Sequence, residues 1–339
     1  MTLESVPSKV RRGRLELANP TGPGAGEPSR LSRAFSFGIR AIARAKILGK
    51  SPVGFYLRLN GALWPRAPRF LSASRPALAY LHLMHRLARL GPDRRMSFGT
   101  FFLRNRPQLQ LICRLAEGRA RAGVVRLAVL GCSIGAEVYS IRWSIASTHP
   151  DLRVDMHALD ISEEILEVAR QGVYRDDTRV VETPIFERLT EDELDSMFDK
   201  DGSRFEVKPW LKEGIHWRVA DASDPRVVDA LGLQDVVVAN DFLCHMQPAE
   251  AEACLRKVAR LVDAGGYLVV SGVDVDVRTK VAIDLGWKPI RDSLEEIHDG
   301  DPVLRWGWPW GYWSLEPLDK ARPDWQVRYA SVFQLGVTK

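Results

Sequence analysis

From residue 124 onward, short apolar runs alternate with longer segments in which apolar residues recur every three or four positions. The apolar runs have the length of buried strands; they are VVRLAVLG, LRVDMHALD, IHWRVAD, QDVVVAND and GGYLVVSGV. The periodic segments predict helices; they are AEVYSIRWSIAST, SEEILEVARQGVY and PAEAEACLRKVARLVDAGG, the last with glycines that we expect to end it. This alternation predicts an α/β fold, a doubly wound and mostly parallel sheet with helices on both faces.

The first part of the chain has a different pattern. Residues 1–30 are rich in Pro, Gly, Ser and Arg and hold too few apolar residues to form a core, so we expect a disordered basic tail. Residues 31–115 contain basic amphipathic stretches broken by prolines, which predict a small helical domain and a linker. Residues 116–339 then form the α/β domain. Two late strand candidates, LGWKPI and ASVFQLG, bring its sheet to seven strands.

The net charge of +5 is unevenly distributed. Residues 1–95 hold 18 Lys and Arg against 4 Asp and Glu, whereas the remainder holds 30 against 39. The basic segment is either an ordinary solvated surface or a site of weak contact with an acidic membrane surface or partner protein, and we expect no specific nucleic-acid binding. No apolar run has the length of a membrane span or of a secretory signal, which predicts a cytoplasmic protein. The four cysteines form no CxxC pair, so we expect reduced thiols and no metal site.

The first predicted strand leads into a loop of small residues, GCSIGAE, which runs from Gly131 to Glu137. The loop lacks the GxxxxGK[ST] of a phosphate-binding P-loop and the GxGxxG of a dinucleotide site. Its GxSxG spacing also describes the nucleophile elbow of a hydrolase, with Ser133 as nucleophile. That arrangement needs an acid before the histidine, but His245 precedes Asp274, so the order disfavours a hydrolase.

Two acidic residues stand at the ends of later predicted strands. Asp160 closes LRVDMHALD, and Asp221 closes IHWRVAD. Ligands of open α/β sheets bind beyond the carboxyl ends of the strands, where Asp160 can accept both hydroxyls of a ribose and Asp221 can accept from an adenine amino group. Either acid alone is more often a cap or strand-end residue. With the small-residue loop, the ordered set predicts a site for S-adenosylmethionine (SAM).

Four segments in chain order resemble motifs of the CheR-type family, the chemoreceptor glutamate methyltransferases. They are GTFFLRNRPQLQLI, LGCSIGAEVYSI, HALDISEEILEVARQGVY and QDVVVANDFLCHMQPAEAEACLRKVARLVDAGGYLVVSG. The resemblance covers roughly residues 60–275. It implies a Rossmann-like class I SAM methyltransferase domain behind a small helical domain, with S-adenosylhomocysteine as the product of the cofactor.

The resemblance also implies a set of cofactor-binding residues: Thr100, Arg104, Gly131, Ser133, Gly135, Glu137, Asp160, Ile161, Asp221 and Ala222. Thr100 and Arg104 would hold the methionyl carboxylate, a task that suits the planar guanidinium fork. Glu137 would accept from the amino group. Asp160 would bind the ribose, and the remaining residues would border the adenine or let the backbone approach the cofactor.

The substrate side departs from the family pattern. Where the family has Arg-Asn-Val-x-Ile-Tyr, this chain has an uncharged Asn240, then Asp241, and finally His245 in place of the tyrosine beside the transferred methyl group. We take these three as the catalytic candidates. A carboxylate acceptor needs no base, whereas a hydroxyl would benefit from one, so His245 is either a general base or an aromatic-sized spacer.

A segment rich in aromatic residues, 305–329, has no counterpart in that family pattern. Its aromatic side chains either anchor the loop as a local core or bind a substrate, as a pocket lining or, less favourably, as a cation–π cage. The tentative substrate residues are Trp306, Trp308, Trp310, Tyr312 and Trp313.

These features predict a SAM-dependent O-methyltransferase that acts on a carboxylate or hydroxyl of a small molecule or biosynthetic intermediate. The resemblance alone implies the alternative of a protein-glutamate methyltransferase with a chemoreceptor-like partner. A second alternative is a non-catalytic SAM-sensing protein.

Overall fold

The computed structural model describes residues 100–180, 183–300 and 316–336, and before them the helical residues 56, 59, 76, 79 and 80. The predicted tail, 1–30, and most of the predicted helical domain lie outside the described residues. Helix α1 (Arg106–Arg119) runs across residue 115, where the sequence placed the boundary before the methyltransferase domain. Its buried residues Leu111, Ile112 and Ala116 belong to the same apolar core as the central strands.

The described strands are β1 (Val124–Leu130), β2 (Arg153–Asp160), β3 (Val173–Arg175), β4 (Arg179–Val180), β5 (Thr183–Pro184), β6 (Phe198–Asp201), β7 (Arg204–Val207), β8 (Ile215–Val219), β9 (Gln234–Asn240), β10 (Val262–Ser271), β11 (Lys288–Pro289) and β12 (Val332–Gln334). The other described helices are α2 (Ala136–Thr148), α3 (Glu163–Gln171), α4 (Glu191–Met197), α5 (Pro209–Lys212), α6 (Arg226–Leu231), α7 (Pro248–Val258), α8 (Val275–Asp284), α9 (Leu294–Asp299) and α10 (Trp325–Tyr329).

Seven strands form one sheet in the order β11-β12-β10-β9-β1-β2-β8. The strands from β10 to β8 pair in parallel, and β12 runs antiparallel to both of its neighbours. All seven residues of β9 are buried, as expected for a central strand with helices on both faces. The predicted α/β fold with a mostly parallel seven-stranded sheet is confirmed.

The chain changes direction across the sheet between β1 and β9. From β1 it continues to β2 and β8 on one side, and from β9 to β10 and β12 on the other. The loops that follow β1 and β9 therefore diverge and leave a crevice at the carboxyl edge of the sheet. This switch point is where open α/β sheets bind their ligands.

The helix predicted to end at the glycines after residue 264 ends earlier. Helix α7 stops at Val258, a short 3-10 turn follows, and β10 begins at Val262. Gly265 has a φ of +72° and lies where the register of β10 against β9 shifts. Gly265 and Gly266 therefore form a β-bulge inside the strand. A glycine in the left-handed conformation can interrupt the hydrogen-bond ladder of a sheet just as it can end a helix.

The sequence did not predict the small antiparallel sheet β3-β7-β6, which the chain forms between α3 and β8. The strands are three or four residues long and β6 is mostly exposed, so they show no apolar alternation. Its aromatic core includes Tyr174 and Phe198, which pack with Phe102. The Tyr174 hydroxyl donates to the carbonyl of Ile134 at 2.6 Å, and this bond ties the small sheet to the loop after β1.

No helix of the described part of the chain combines the length and the apolar character that a membrane crossing requires.

An ion-pair cluster joins three strands at the end of the sheet opposite the crevice. Asp235 of β9, 1% exposed, accepts from the backbone N–H of Arg126 at 2.9 Å and from its guanidinium at 3.0 and 3.1 Å. Arg126 of β1 also donates to Asp263 of β10 at 2.9 Å. Burial by itself would raise the pKa of Asp235, but the bonds from Arg126 outweigh it and leave that pKa below its ordinary value.

We expect Asp235→Ala to lower the free energy of unfolding by about 3 kcal/mol, because it removes one partner of a buried pair and leaves the backbone N–H without its acceptor. Equilibrium urea unfolding measures the change. Arg226→Ala is the control, since Arg226 forms a solvated pair with Asp224 and should leave the unfolding midpoint unchanged. Equal midpoints for Asp235→Ala and the wild type would contradict the assigned role.

Candidate active site

A cavity of about 270 Å³ lies in the crevice at the carboxyl ends of β1, β2, β8 and β9. Nine of its described lining residues are among those that the sequence assigned to the cofactor; they are Thr100, Arg104, Gly131, Ser133, Glu137, Asp160, Ile161, Asp221 and Ala222. The catalytic candidates Asn240, Asp241 and His245 line it as well. We refer to it as the donor cavity.

The loop between β1 and α2 approaches the donor cavity through a glycine. Gly131 has a φ of +68°, and a Cβ there would lie 2.9 Å from the Cβ of Phe242. A side chain at this position would therefore be strained and would displace the loop after β9. Gly135 is not among the described residues that line the cavity; it is the N-cap residue of α2, with a φ of +88°, and lies close to Ala169 and Trp217.

Asp160 connects the loops that follow β1 and β2. It is 5% exposed, and its two carboxylate oxygens accept from the backbone N–H groups of Ser133 at 2.9 Å and Ser162 at 3.1 Å. Each oxygen retains a lone pair that can accept a further bond. Ile161, 53% exposed, presents an apolar surface to the cavity beside this carboxylate.

The far end of the donor cavity is bordered by Asp221 and Ala222, just after β8. Asp221 accepts from the Ser223 N–H at 2.7 Å, which fixes its carboxylate in a tight turn. Phe242 and Met246 also line the cavity, and neither was predicted from the sequence. Both could have been predicted from their position, because they follow Asn240 and Asp241 in the loop after a predicted strand.

The other end of the donor cavity contains an ion pair. Arg104 Nη1 lies 2.5 Å from Asp241 Oδ2, and Arg188 donates to the backbone carbonyl of Arg104. Asp241 has a φ of +62°, and a Cβ on Gly272 would lie 2.4 Å from the Asp241 Cα. The close approach of these two loops thus requires Gly272 and holds Asp241 in a conformation that few residues other than Gly, Asn and Asp adopt readily.

Asn240 is the centre of a buried hydrogen-bond network. Its amide nitrogen donates to Glu137 Oε1 at 2.7 Å and to Gln108 Oε1 at 3.0 Å, and its oxygen accepts from the Ser271 hydroxyl at 2.9 Å. This network joins α2, α1 and β10 to the end of β9. The sequence did not identify Gln108 or Ser271, because their residue types carry no chemical signature without the tertiary contact.

Glu137 has an unusual proton affinity. Burial raises the pKa of its carboxyl to about 7, an effect that the bond from Asn240 and the nearby Arg104 oppose and the charge of Asp241 reinforces. Near neutral pH the group is therefore poised between its neutral and ionised forms. A cationic amino group placed beside it would favour the ionised form.

A second cavity, of about 60 Å³, adjoins the donor cavity and shares Arg104, Glu137, Asn240 and Asp241 as its walls. It extends over the ends of β9 and β10, away from Asp160 and Asp221. Its other described lining residues are mostly polar or aromatic; they are Phe101, Asn105, Gln108, Leu109, Ser140, Ser271, Gly272, Arg278, Ile297, His298, Tyr329 and Ser331. We refer to it as the polar cavity.

His245 lies in the 3-10 turn Leu243–His245 and is half-buried at the donor cavity. It is not among the described residues that line the polar cavity. The tentative substrate residues Trp306, Trp308, Trp310, Tyr312 and Trp313 lie outside the described residues. Residues 316–329 of the aromatic segment are described, and their two aromatic side chains, Trp325 and Tyr329, pack against the core.

The residues that line the donor cavity carry the charged and hydrogen-bonding groups that suit SAM. Asp160 and Asp221 offer acceptors for hydroxyl and amino groups, and Glu137 offers a carboxylate for an ammonium group. The Arg104 guanidinium is a donor for a carboxylate. Because Gly131 has no side chain, a ligand can lie close to the backbone at this position.

Among solved structures, the chain is similar to the N-methyltransferase NodS from Bradyrhizobium japonicum in complex with S-adenosyl-L-homocysteine, with 14% identity over 55% of this chain and 76% of that chain and a TM-score of 0.33. The magnesium protoporphyrin IX methyltransferase from Synechocystis is 14% identical over 54% of this chain and 73% of its own, with a TM-score of 0.32. An O-methyltransferase family protein from Burkholderia thailandensis is 17% identical over 69% and 58%, also with a TM-score of 0.32. No curated protein matches the chain.

The model of the CheR methyltransferase SAM-binding domain matches residues 99–279, just over half of the chain. The match spans the loop with Arg104, the loop after β1, the acids at the ends of β2 and β8, and the β9 loop. The chain therefore belongs to the CheR methyltransferase family of SAM-dependent enzymes.

Proposed function

We propose that this SAM-dependent methyltransferase methylates an oxygen atom of a small molecule. The observation that carries the proposal is the polar cavity, which meets the donor cavity at Asn240 and Glu137 and is lined by hydrogen-bonding side chains. A cavity of about 60 Å³ suits one polar group of an acceptor. Small-molecule sites typically combine such a concave shape with a few fixed polar groups.

The residues of the donor cavity suit the binding and orientation of SAM. Asp160 and Asp221 would hold its nucleoside, and Glu137 and Arg104 its amino acid end. When bound, SAM supplies a methyl group on a positively charged sulfur, which an oxygen nucleophile attacks in line. The residues around the two cavities would contribute to the rate chiefly by holding the two reactants in that line, which removes much of the entropic barrier.

A carboxylate is the acceptor that the geometry favours over a hydroxyl. A carboxylate is ionised at neutral pH and needs no base. His245, the candidate base, borders the donor cavity and lies outside the described lining of the polar cavity. We therefore assign His245 a packing role beside the methyl group in place of proton transfer.

The family resemblance supports a second candidate, methylation of glutamates on a chemoreceptor-like protein. The acceptor atom is again a carboxylate oxygen, and the two candidates differ in the size of the molecule that carries it. The uncharged Asn240, in place of the arginine of the family pattern, favours the small molecule.

Radiolabelled methyl-SAM tests the proposal. The enzyme is incubated with a metabolite fraction below about 3 kDa, chosen to exclude domains of the usual size, and separately with a purified chemoreceptor cytoplasmic domain. We expect the label in the small molecules. Mild base should release it as volatile methanol, because methyl esters hydrolyse under these conditions. Base-stable label would overturn the carboxylate assignment, and label confined to receptor glutamates would overturn the small-molecule proposal.

We expect Asp160→Asn to weaken binding of S-adenosylhomocysteine by about 10- to 100-fold, since the substitution replaces charge-assisted hydrogen bonds to the ribose with neutral ones. Isothermal titration calorimetry measures the affinity. Asp155→Asn is the matched control, because Asp155 lies on the same strand at its opposite, exposed end. Unchanged affinity in a folded Asp160→Asn protein would contradict the ribose assignment.

We expect the affinity for S-adenosylhomocysteine to rise with pH up to about 7 and then to level off. The Glu137 carboxyl, with its pKa of about 7, holds a proton at lower pH and must release it to bind the ligand's ammonium group. At pH 6 the affinity should be about tenfold below its plateau, with close to one proton released on binding.

Calorimetry in two buffers of different ionisation enthalpy measures that proton release. Glu137→Gln serves as the control, since it cannot titrate and should bind weakly with no proton release between pH 5.5 and 8. A pH-independent affinity in the wild type would show that Glu137 does not bind the amino group.

A further inference from the structure

Arg278 is a buried cation in the wall of the polar cavity. It lies on α8 and is 2% exposed. Its Nη1 donates to the carbonyl of Val270 at 3.1 Å and its Nη2 to the carbonyl of Arg328 at 2.9 Å. Its Nε has no hydrogen-bond partner among the residues that the structure describes.

The neighbouring buried arginine is paired very differently. Arg328, 4% exposed, donates to both carboxylate oxygens of Glu316 and to Asp276 at 2.9 Å. The Tyr329 hydroxyl donates to the same Glu316 at 3.1 Å. Glu316 and Asp276 are thus engaged by Arg328, whereas the side-chain hydrogen bonds of Arg278 within the described residues go to neutral backbone carbonyls.

A buried charge without a hydrogen-bonded counter-charge is unfavourable. Burial and the charge of Arg328 lower the pKa of Arg278 to about 10, against the opposing charges of Glu316 and Asp274. At neutral pH the guanidinium therefore stays protonated. Such a group in a cavity wall is a candidate for ligand recognition, because a bound anion would supply the missing counter-charge.

Hydrogen-bonded polar side chains connect the polar cavity to the donor cavity. Gln108 accepts from Asn240 at 3.0 Å and donates to the Ser331 hydroxyl at 3.3 Å, so a chain of hydrogen bonds runs along the wall shared with the donor cavity. Asn240 carries no charge itself. Among the described residues that line this cavity, the arginine side chains are Arg278 and, at the shared wall, Arg104, which is paired with Asp241.

We propose that Arg278 recognises a carboxylate of the acceptor, so that the methyl acceptors of this enzyme are small organic acids. The inference rests on the proposed function and narrows its substrate class. The carboxylate enters the polar cavity and receives a charge-assisted hydrogen bond from the guanidinium, which an uncharged analogue of the same shape does not form. Arg278 thereby serves as a specificity-determining residue.

Binding of small acids to the S-adenosylhomocysteine complex tests this inference. Ligand-observed NMR titrations compare acetate and glutarate with their neutral amides, acetamide and glutaramide. In the wild type we expect the acids to bind at least about tenfold more tightly than the amides. Arg278→Gln should abolish this preference and Arg278→Lys should keep part of it, while Arg256→Gln, on the exposed side of α7, should behave as wild type.

The affinity for S-adenosylhomocysteine, measured on each variant, shows that the donor cavity is still folded. If acids and amides bind the wild type equally, or if Arg278→Gln retains the preference, Arg278 is a structural clamp between β10 and α10 and the inference is overturned. If Arg278→Gln does not fold, the inference is still tested by the preference for acids over amides in the wild type and by its partial retention in Arg278→Lys.

The titrations need no turnover, so the two proposals fail separately. Methylation of an uncharged small molecule, without acid preference, would overturn the role of Arg278 and leave the small-molecule proposal intact. Label confined to receptor glutamates would overturn the proposed function whatever the titrations show.

Discussion

The side-chain amide of Asn240 is the contact on which the geometry of both cavities depends. It binds Glu137 from α2, Gln108 from α1 and Ser271 from β10, and so fixes the elements that surround the end of the central strand β9. An amide can do this because it donates twice and accepts at its oxygen, and all of these functions are used. Buried polar networks of this kind hold one arrangement when every member is satisfied. The wall between the donor cavity and the polar cavity is therefore rigid.

The charged side chains that line only one of the two cavities differ in sign between them. The acidic side chains at the ends of β2 and β8, Asp160 and Asp221, line only the donor cavity, in keeping with a cofactor rich in hydrogen-bond donors. On the other side the fully buried Arg278 gives the polar cavity a positive wall. Because Arg278 is buried, solvent screens its charge less than it screens a charge at the surface. The proposed preference for an anionic acceptor beside the cationic sulfur of SAM rests on this distribution of charge.

Much of the donor cavity could be predicted from the sequence because its residues occupy fixed places relative to strands. Gly131, Asp160 and Asp221 each stand at or just after the end of a strand, and parallel strands bring their carboxyl ends to one edge. The small antiparallel sheet could not be predicted, since its strands are too short and too exposed to show an apolar period. Gly265 was misassigned to a helix end, because glycine has the same left-handed freedom in a bulge.

By itself, the sequence determined the order of strands and helices, the cofactor and the acids and glycine at the strand ends, because apolar periodicity and motif spacing are local properties of the chain. Only the tertiary structure decided the surroundings of Asn240 and the environment of Arg278. Gln108 lies 132 residues from Asn240, and Arg328 lies 50 residues from Arg278. Packing determines that the Glu316 carboxylate pairs with Arg328 and not with Arg278. No local pattern along the sequence indicates which of the two arginines is paired.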